Sequence, residues 1–338
     1  MNTNLASSGR DELISQEREK IAALTQMVED RLESVAASEI EVAYDISTRL
    51  FSAGGKRVRP TLVILSALAC GSCDYARMVD LAAAVELTHT ASLVHDDVID
   101  ETAERRGIAT ANIRWGNKLS VLGGDFLLSK AFYLISEIGD HDVLQVLSAN
   151  AVRMSEAEML QAICEGDLKL WNANYWRIVE GKTASFMAAC CECGAILAGA
   201  DGLTRAMFSG YGNQLGMAFQ ITDDLLDIIG DPAVTGKAIG TDLVHGKFTL
   251  PLLFALKDES VANQCEKLLS ESKNNGGLSS EGLQTIVRLI IESGAVEEAR
   301  RMAIDCARNA CDQLSGIPSS EYKDSLCALA MSIADREY

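Results

Sequence analysis

His89-Thr-Ala-Ser-Leu-Val-His-Asp-Asp-Val-Ile-Asp100 reads as the end of a long helix predicted over 76–101. At 3.6 residues per turn, His89, Ser92, Asp96 and Asp100 fall along one stripe, with Asp97 beside it. Three carboxylates therefore crowd one turn of an otherwise apolar helix. Far downstream, Phe219-Gln-Ile-Thr-Asp-Asp-Leu-Leu-Asp227 repeats the arrangement. Gln220, Asp223, Asp224 and Asp227 share one side of a helix whose other side is Ile221, Leu225, Leu226, Ile228 and Ile229.

Helical periodicity extends outward from both stretches. Apolar residues from Ile14 to Val35 recur at mostly three- and four-residue spacings among charges, as on an amphipathic helix. Gly54, Gly55 and Pro60 mark a turn, and Pro60 is placed to open the next helix. Helices are predicted near 60–69, 118–138, 141–165, 175–198, 203–229, 248–257, 259–270, 279–293, 295–313 and 319–336. No alternating strand pattern, fixed-period repeat or low-complexity linker interrupts them. With 4 prolines in 338 residues, 48% hydrophobic and only 5% aromatic, the composition also favours helices. The expected fold is one all-α domain over 1–338, with residues 1–19 flexible.

Charge and cysteine content narrow the setting. A net charge of −18 excludes a general basic field of the kind nucleic-acid binding needs. Anionic ligands would have to be held locally. Ten scattered cysteines without a secretory signal suggest reduced thiols in the cytoplasm. Cys70-Gly-Ser-Cys73 lacks a second CxxC and a βαβ setting, so these cysteines are expected to serve as small apolar residues. No uninterrupted apolar run reaches the roughly 18 to 20 residues of a membrane span.

A solvated acidic face is the ordinary fate of helical carboxylates. It fits poorly here, because like charges at i,i+4 repel and both clusters interrupt apolar sequence. Oxygen-only clusters without Cys or paired His suit a hard cation, and Mg²⁺ takes one or two carboxylates plus substrate phosphates. Basic residues around the two clusters could complete an anion site. Lys56, Arg57 and Arg59 lie on the glycine turn, Arg105 and Arg106 follow the first cluster, and Lys182, Lys237 and Lys247 stand in Gly-Lys pairs. Arg offers a planar fork to phosphate, Lys a point charge.

With these elements in this order, from about residue 20 to 338, the sequence resembles the trans-isoprenyl diphosphate synthases. The matching pieces are Gly54-Gly-Lys-Arg-Val-Arg-Pro60, Asp96-Asp-Val-Ile-Asp100, Arg105-Arg106-Gly107, Gly181-Lys-Thr183, Phe219-Gln220, Asp223-Asp-Leu-Leu-Asp227, Gly236-Lys237 and Gly246-Lys247. The resemblance implies an isoprenoid synthase-type helical bundle around a central cavity, usually a homodimer, with Mg²⁺ as cofactor at three ions per active site. It implies Asp96, Asp100 and Asp223 as direct metal ligands, with Asp97, Asp224 and Asp227 completing the clusters. Arg105, Lys182, Thr183, Gln220 and Lys237 would hold an allylic prenyl diphosphate, and Gly55, Lys56, Arg59, His89 and Arg106 isopentenyl diphosphate. Lys247 matches a further Lys of the pattern, and Ala238 departs from it where Pro is expected.

Ala91 and Ser92 occupy the positions where, in short-chain members, bulky aromatics block the product tunnel. Both are small here, and the next positions up the helix, Leu87 and Ala84, also place no aromatic in the path. A hexaprenyl to decaprenyl product is expected over farnesyl or geranylgeranyl. The tunnel floor could instead be set by Phe132, Leu144 or Leu147. The competing identities are a terpene cyclase, opposed by the Gly-Gly-Lys-Arg turn and Arg105-Arg106, and a noncatalytic synthase subunit, opposed by two complete aspartate motifs.

Overall fold

The computed structural model describes residues 3–52, 54–105, 107–231, 238–275 and 277–335. Among these the chain is helical almost throughout, and its only strands are a two-residue antiparallel pair. Its contacts divide it into two compact units. One is formed by residues up to Ser148 together with 189–209 and 316–326, and the other by 149–188, 210–315 and the residues from Cys327 onward.

In the first unit, α1 (Thr3–Ala36), α2 (Glu41–Ser52), α3 (Val58–Ala69) and α4 (Tyr75–Ile99) lead to β1 (Glu104–Arg105), β2 (Ile108–Ala109), α5 (Ala111–Trp115) and α6 (Asn117–Ile138). α4 is the central element, packed against α1, α3 and α6. An uninterrupted run from Leu81 to Leu87 is buried, Glu86 included. Asp74 caps its start, accepting from the Arg77 N–H at 3.2 Å. Glu101, at φ 51, ends it by taking a left-handed conformation.

Asp125 and Lys130 interrupt α6, so it holds no unbroken apolar run of membrane-span length. By length and composition, Asn117–Ile138 is nonetheless apolar enough to cross a membrane. Core helices of soluble proteins pass the same test, and Ser120, Gly123, Gly124, Leu127, Ala131, Leu134 and Ile135 of this helix are buried. Gly123 and Gly124 permit this packing, since a Cβ at Gly123 would lie 2.8 Å from Ile46 of α2 and one at Gly124 would collide with His95 of α4.

α7 (His141–Cys164), α8 (Leu168–Val179), α9 (Ser185–Leu197) and α10 (Gly202–Ile229) follow. The single helix predicted over 175–198 is broken into α8 and α9 by a π-helical turn, Glu180–Ala184. Then come α11 (Thr241–Val244), α12 (Leu250–Ala255), α13 (Glu259–Asn275), α14 (Ser280–Glu292), α15 (Ala295–Gln313) and α16 (Glu321–Ala334). In the second unit α15 packs on α12 and α14, along a small-residue stripe of buried Ala299, Ala303, Ala307 and Ala310.

Candidate active site

The first aspartate motif closes α4. Asp96 and Asp100 are half-buried, whereas Asp97 is only 1% exposed. Asp97 Oδ1 accepts from Arg105 Nε and Nη2, both at 2.8 Å. Arg105 is carried there by the β1–β2 hairpin, which turns through Gly107 at φ 76. Asn112 ties the same corner, its Nδ2 donating to the Asp97 and Thr102 carbonyls at 3.1 Å each. Burial pushes the Asp97 carboxyl up and the Arg105 guanidinium pulls it back, with burial dominant.

The second motif is built in the second unit near the end of α10. Asp223 is exposed and Asp227 half-buried, while Asp224 is 4% exposed. Three neutral donors converge on Asp224. Tyr175 Oη donates at 2.7 Å and the Leu250 N–H at 2.9 Å to Oδ2, and Gln220 Nε2 donates at 3.0 Å to Oδ1. Gln220 Oε1 in turn accepts from Thr183 Oγ1 at 2.9 Å. Burial raises Asp224 to about 7 against the pull of these donors. Asp227 receives the N–H of Asp242 at 3.3 Å, and its carbonyl receives the N–H of Gly240 at 2.7 Å.

Glycine makes this cluster possible. A Cβ on Gly212 or Gly216 of α10 would collide with the backbone of Met187 and Ala188 or of Ala184, so the helix can lie against the π turn only without side chains there. On the other side of that turn, a Cβ on Gly181 would lie 2.7 Å from Ala157 of α7. Lys182 Nζ therefore reaches Glu158 at 2.6 Å and Gln161 at 3.5 Å, both on α7. A π turn inside a helix frequently marks a functional position. Lys247 approaches Glu165 at 4.0 Å.

At the glycine turn of the first unit, Gly55 and Lys56 are exposed and Arg59 is half-buried. His89 is half-buried on α4, its carbonyl accepting from Ser92 Oγ at 2.8 Å. Ala91 is 2% exposed. Of the alternative tunnel-floor residues, Phe132 and Leu144 are exposed and Leu147 is buried. Arg106 and Lys237 lie outside the described residues.

The structure thus groups Thr183 with Gln220 and Asp224, and Arg105 with Asp97. It adds residues that the sequence did not single out. Tyr175, Glu158 and Gln161 carried no signal in a helical pattern. Glu86 did, as a lone carboxylate in the apolar run from Leu81 to Leu87, the same signal that marked the aspartates.

Each motif offers oxygen donors of the kind a hard divalent cation takes. Asp96, Asp100 and Asp223 offer oxygen alone and keep access to solvent. Among the described residues no group of three or more His, Cys, Asp or Glu side chains is arranged to hold a metal ion by itself.

Residues 40–286 match the family model for polyprenyl synthetase, and the chain belongs to that family. It is 34% identical over 313 residues to an octaprenyl diphosphate synthase of Haemophilus influenzae, covering 93% of this chain and 94% of the relative. An all-trans-nonaprenyl-diphosphate synthase (geranyl-diphosphate specific) of Rhodobacter capsulatus is 33% identical, with 98% and 99% covered. The crystal structure of a polyprenyl synthase from Caulobacter crescentus, complexed with calcium and isoprenyl diphosphate, superposes with a TM-score of 0.86 at 34% identity, covering 96% of this chain and 97% of that one.

Proposed function

We propose that this chain is a trans-polyprenyl diphosphate synthase that joins an allylic prenyl diphosphate to isopentenyl diphosphate, successively, to a hexaprenyl to decaprenyl product. The carrying observation is that both aspartate motifs bury and pin their middle carboxylate while leaving Asp96, Asp100 and Asp223 with access to solvent. Family membership and the long-chain relatives support the same function.

Asp96, Asp100 and Asp223 are the residues that would hold Mg²⁺, at three ions per site, with Asp97, Asp224 and Asp227 completing the two clusters. When bound, the metal neutralises charge developing on the departing diphosphate. Arg105, Lys182, Thr183, Gln220 and Lys237 orient the allylic diphosphate. Lys182, whose Nζ donates to Glu158 and Gln161, supplies a point charge. Gly55, Lys56, Arg59, His89 and Arg106 hold isopentenyl diphosphate with its double bond toward the allylic carbon, and Lys247 adds a further cation. No side-chain nucleophile is required. The released diphosphate takes the proton lost after coupling, and His89 serves as a phosphate donor and not as the base.

Both units belong to one synthase domain. Exposed Leu119, Leu122, Phe132 and Tyr133 on α6 support a homodimer, and ten free cysteines support a reducing cytoplasmic setting.

Incubating the purified chain with labelled isopentenyl diphosphate and a farnesyl diphosphate primer tests this function. The expected result is Mg²⁺-dependent label in prenyl diphosphates of six to ten units. A cyclised hydrocarbon, or incorporation only after a second subunit is added, would overturn it.

A further inference from the structure

Arg57 stands in the middle of the basic turn, yet its geometry sets it apart from Lys56 and Arg59. The turn joins α2 to α3 and is bracketed by two left-handed residues, Gly54 at φ 74 and Arg57 at φ 44. Glycine adopts that conformation freely, whereas a residue with a Cβ does so only when its surroundings hold it. The restraint is visible in the side chain. Arg57 Nε and Nη2 clasp the two oxygens of Glu29 on α1 at 2.5 and 2.9 Å. Nη1 donates to Glu86 Oε1 on α4 at 2.7 Å, and Nη2 also donates to the Phe51 carbonyl at 3.1 Å.

The arginine side chain is 8% exposed and that of Glu86 7%. With two carboxylates around one guanidinium and four of its five N–H donors engaged, Arg57 has no net positive charge to offer a phosphate. Glu86 has a second role. Its charge also favours the cationic form of Arg59, which burial opposes. On α4 it stands three residues before His89, one helical turn away.

We propose that Glu29, Arg57 and Glu86 form a positioning triad that presets the 54–57 turn, so that Lys56, Arg59 and His89 meet the diphosphate of the non-allylic substrate already in place. Arg57 and its two carboxylates are positioning residues that do not touch the ligand. A preset turn lowers the ordering cost of binding, so its loss is read in the affinity for one substrate. This proposal rests on the assignment of Lys56, Arg59 and His89 to isopentenyl diphosphate.

The test uses the full chain with Mg²⁺, each diphosphate being varied in turn at saturation of the other. Glu86→Gln keeps the shape and one acceptor while removing the charge. It is expected to raise KM for isopentenyl diphosphate about tenfold or more, with kcat and the allylic KM within about twofold of the parent. Glu29→Gln, at the more exposed end of the triad, gives a smaller rise of the same kind and serves if Glu86→Gln does not fold. A readout independent of catalysis is amide exchange of residues 54–57, which is expected to accelerate about tenfold or more in both variants.

Lys56→Ala separates the two levels of the argument. If it leaves the isopentenyl KM unchanged, the turn is not the substrate site and the proposal falls with that assignment. If Lys56→Ala raises that KM while the folded glutamate variants do not, the assignment stands and the triad is only a tie between helices. A loss of kcat, or an equal rise in both KM values, would overturn it as well.

Discussion

The two aspartate motifs have the same spelling and are built differently. In the first, Asp97 is paired with a guanidinium that remains 28% exposed and arrives on a short hairpin. In the second, Asp224 is clamped by a tyrosine hydroxyl, an amide side chain and a backbone N–H, all neutral. One residue accounts for much of the contrast. Four positions before the middle aspartate the second motif has Gln220, one turn away and able to donate, whereas the first has Leu93. A carboxylate with no donor on its own helix must take one from elsewhere, and the hairpin provides it. The middle position is thus a structural anchor in both motifs, and Asp96, Asp100 and Asp223 are left for the ligand.

The largest effect should come from those outer positions. Asp96→Ala and Asp223→Ala are each expected to lower kcat by about three or more orders of magnitude with the helical circular dichroism intact, and a chelator should abolish turnover in the parent. Full activity in excess chelator would remove the metal assignment from both motifs. The middle positions should instead differ from each other in stability. Asp224→Ala leaves Tyr175 Oη and the Leu250 N–H buried without an acceptor, at a cost of about 3 kcal/mol or more. Asp97→Ala releases an arginine that can reach water, at a cost of about 1 kcal/mol. Urea unfolding of the two variants measures the gap, and equal losses would show that the clamps are equivalent.

How legible these features were follows from what each depends on. Helix periodicity and the carboxylate spacing are local properties, so Asp96, Asp100, Asp223 and Asp227 could be found and placed on helix faces from the sequence. The partners of Asp97 and Asp224 could not all be found that way. Tyr175 lies 49 residues from Asp224, and nothing in its neighbourhood distinguishes it from Trp171 or Trp176. The family resemblance assigns Arg105 to substrate, and its bond to Asp97 depends on a hairpin too short to show as alternation. The π turn was read as unbroken helix because its residues are ordinary helix formers apart from Gly181. Its cause is packing, since Gly181 sits against Ala157 of α7 and Ala184 against Gly216 of α10.

Arg105→Ala sharpens the contrast at the level of binding. It is expected to raise the allylic KM by an amount equivalent to about 1.5–3 kcal/mol, while the isopentenyl KM stays near the parent value. Equal rises would show that the arginine acts only through Asp97.

Proton binding gives a gentler test. With Asp224 near 7 in the fold and about 3.9 unfolded, the native state holds this proton more tightly. The contribution is therefore fully present below about pH 4 and is lost as pH rises through 7. In metal-free protein, stability against urea should fall over that interval. Asp224→Asn should flatten the fall, whereas an unchanged slope would place the titrating group elsewhere.

The smallest effect on rate is expected five residues before each motif, with a change of product before the first motif alone. Ala91 and Ala218 occupy that register, and they are 2% and 0% exposed. A phenylalanine at either must displace neighbours if the site is close-packed, at about 1–3 kcal/mol. If the product tail runs along α4, the two variants diverge. Ala91→Phe places its ring about one and a half turns before Asp96 and should release a shorter product at a similar rate of condensation. Ala218→Phe, beside the glycines that bring α10 against Ala184 and Met187, should lose stability and keep the parent product length. Chromatography of the dephosphorylated products separates the outcomes. Unchanged length in Ala91→Phe, with a drop in stability like that of Ala218→Phe, would show that the small residues of α4 serve helix packing and that chain length is set elsewhere.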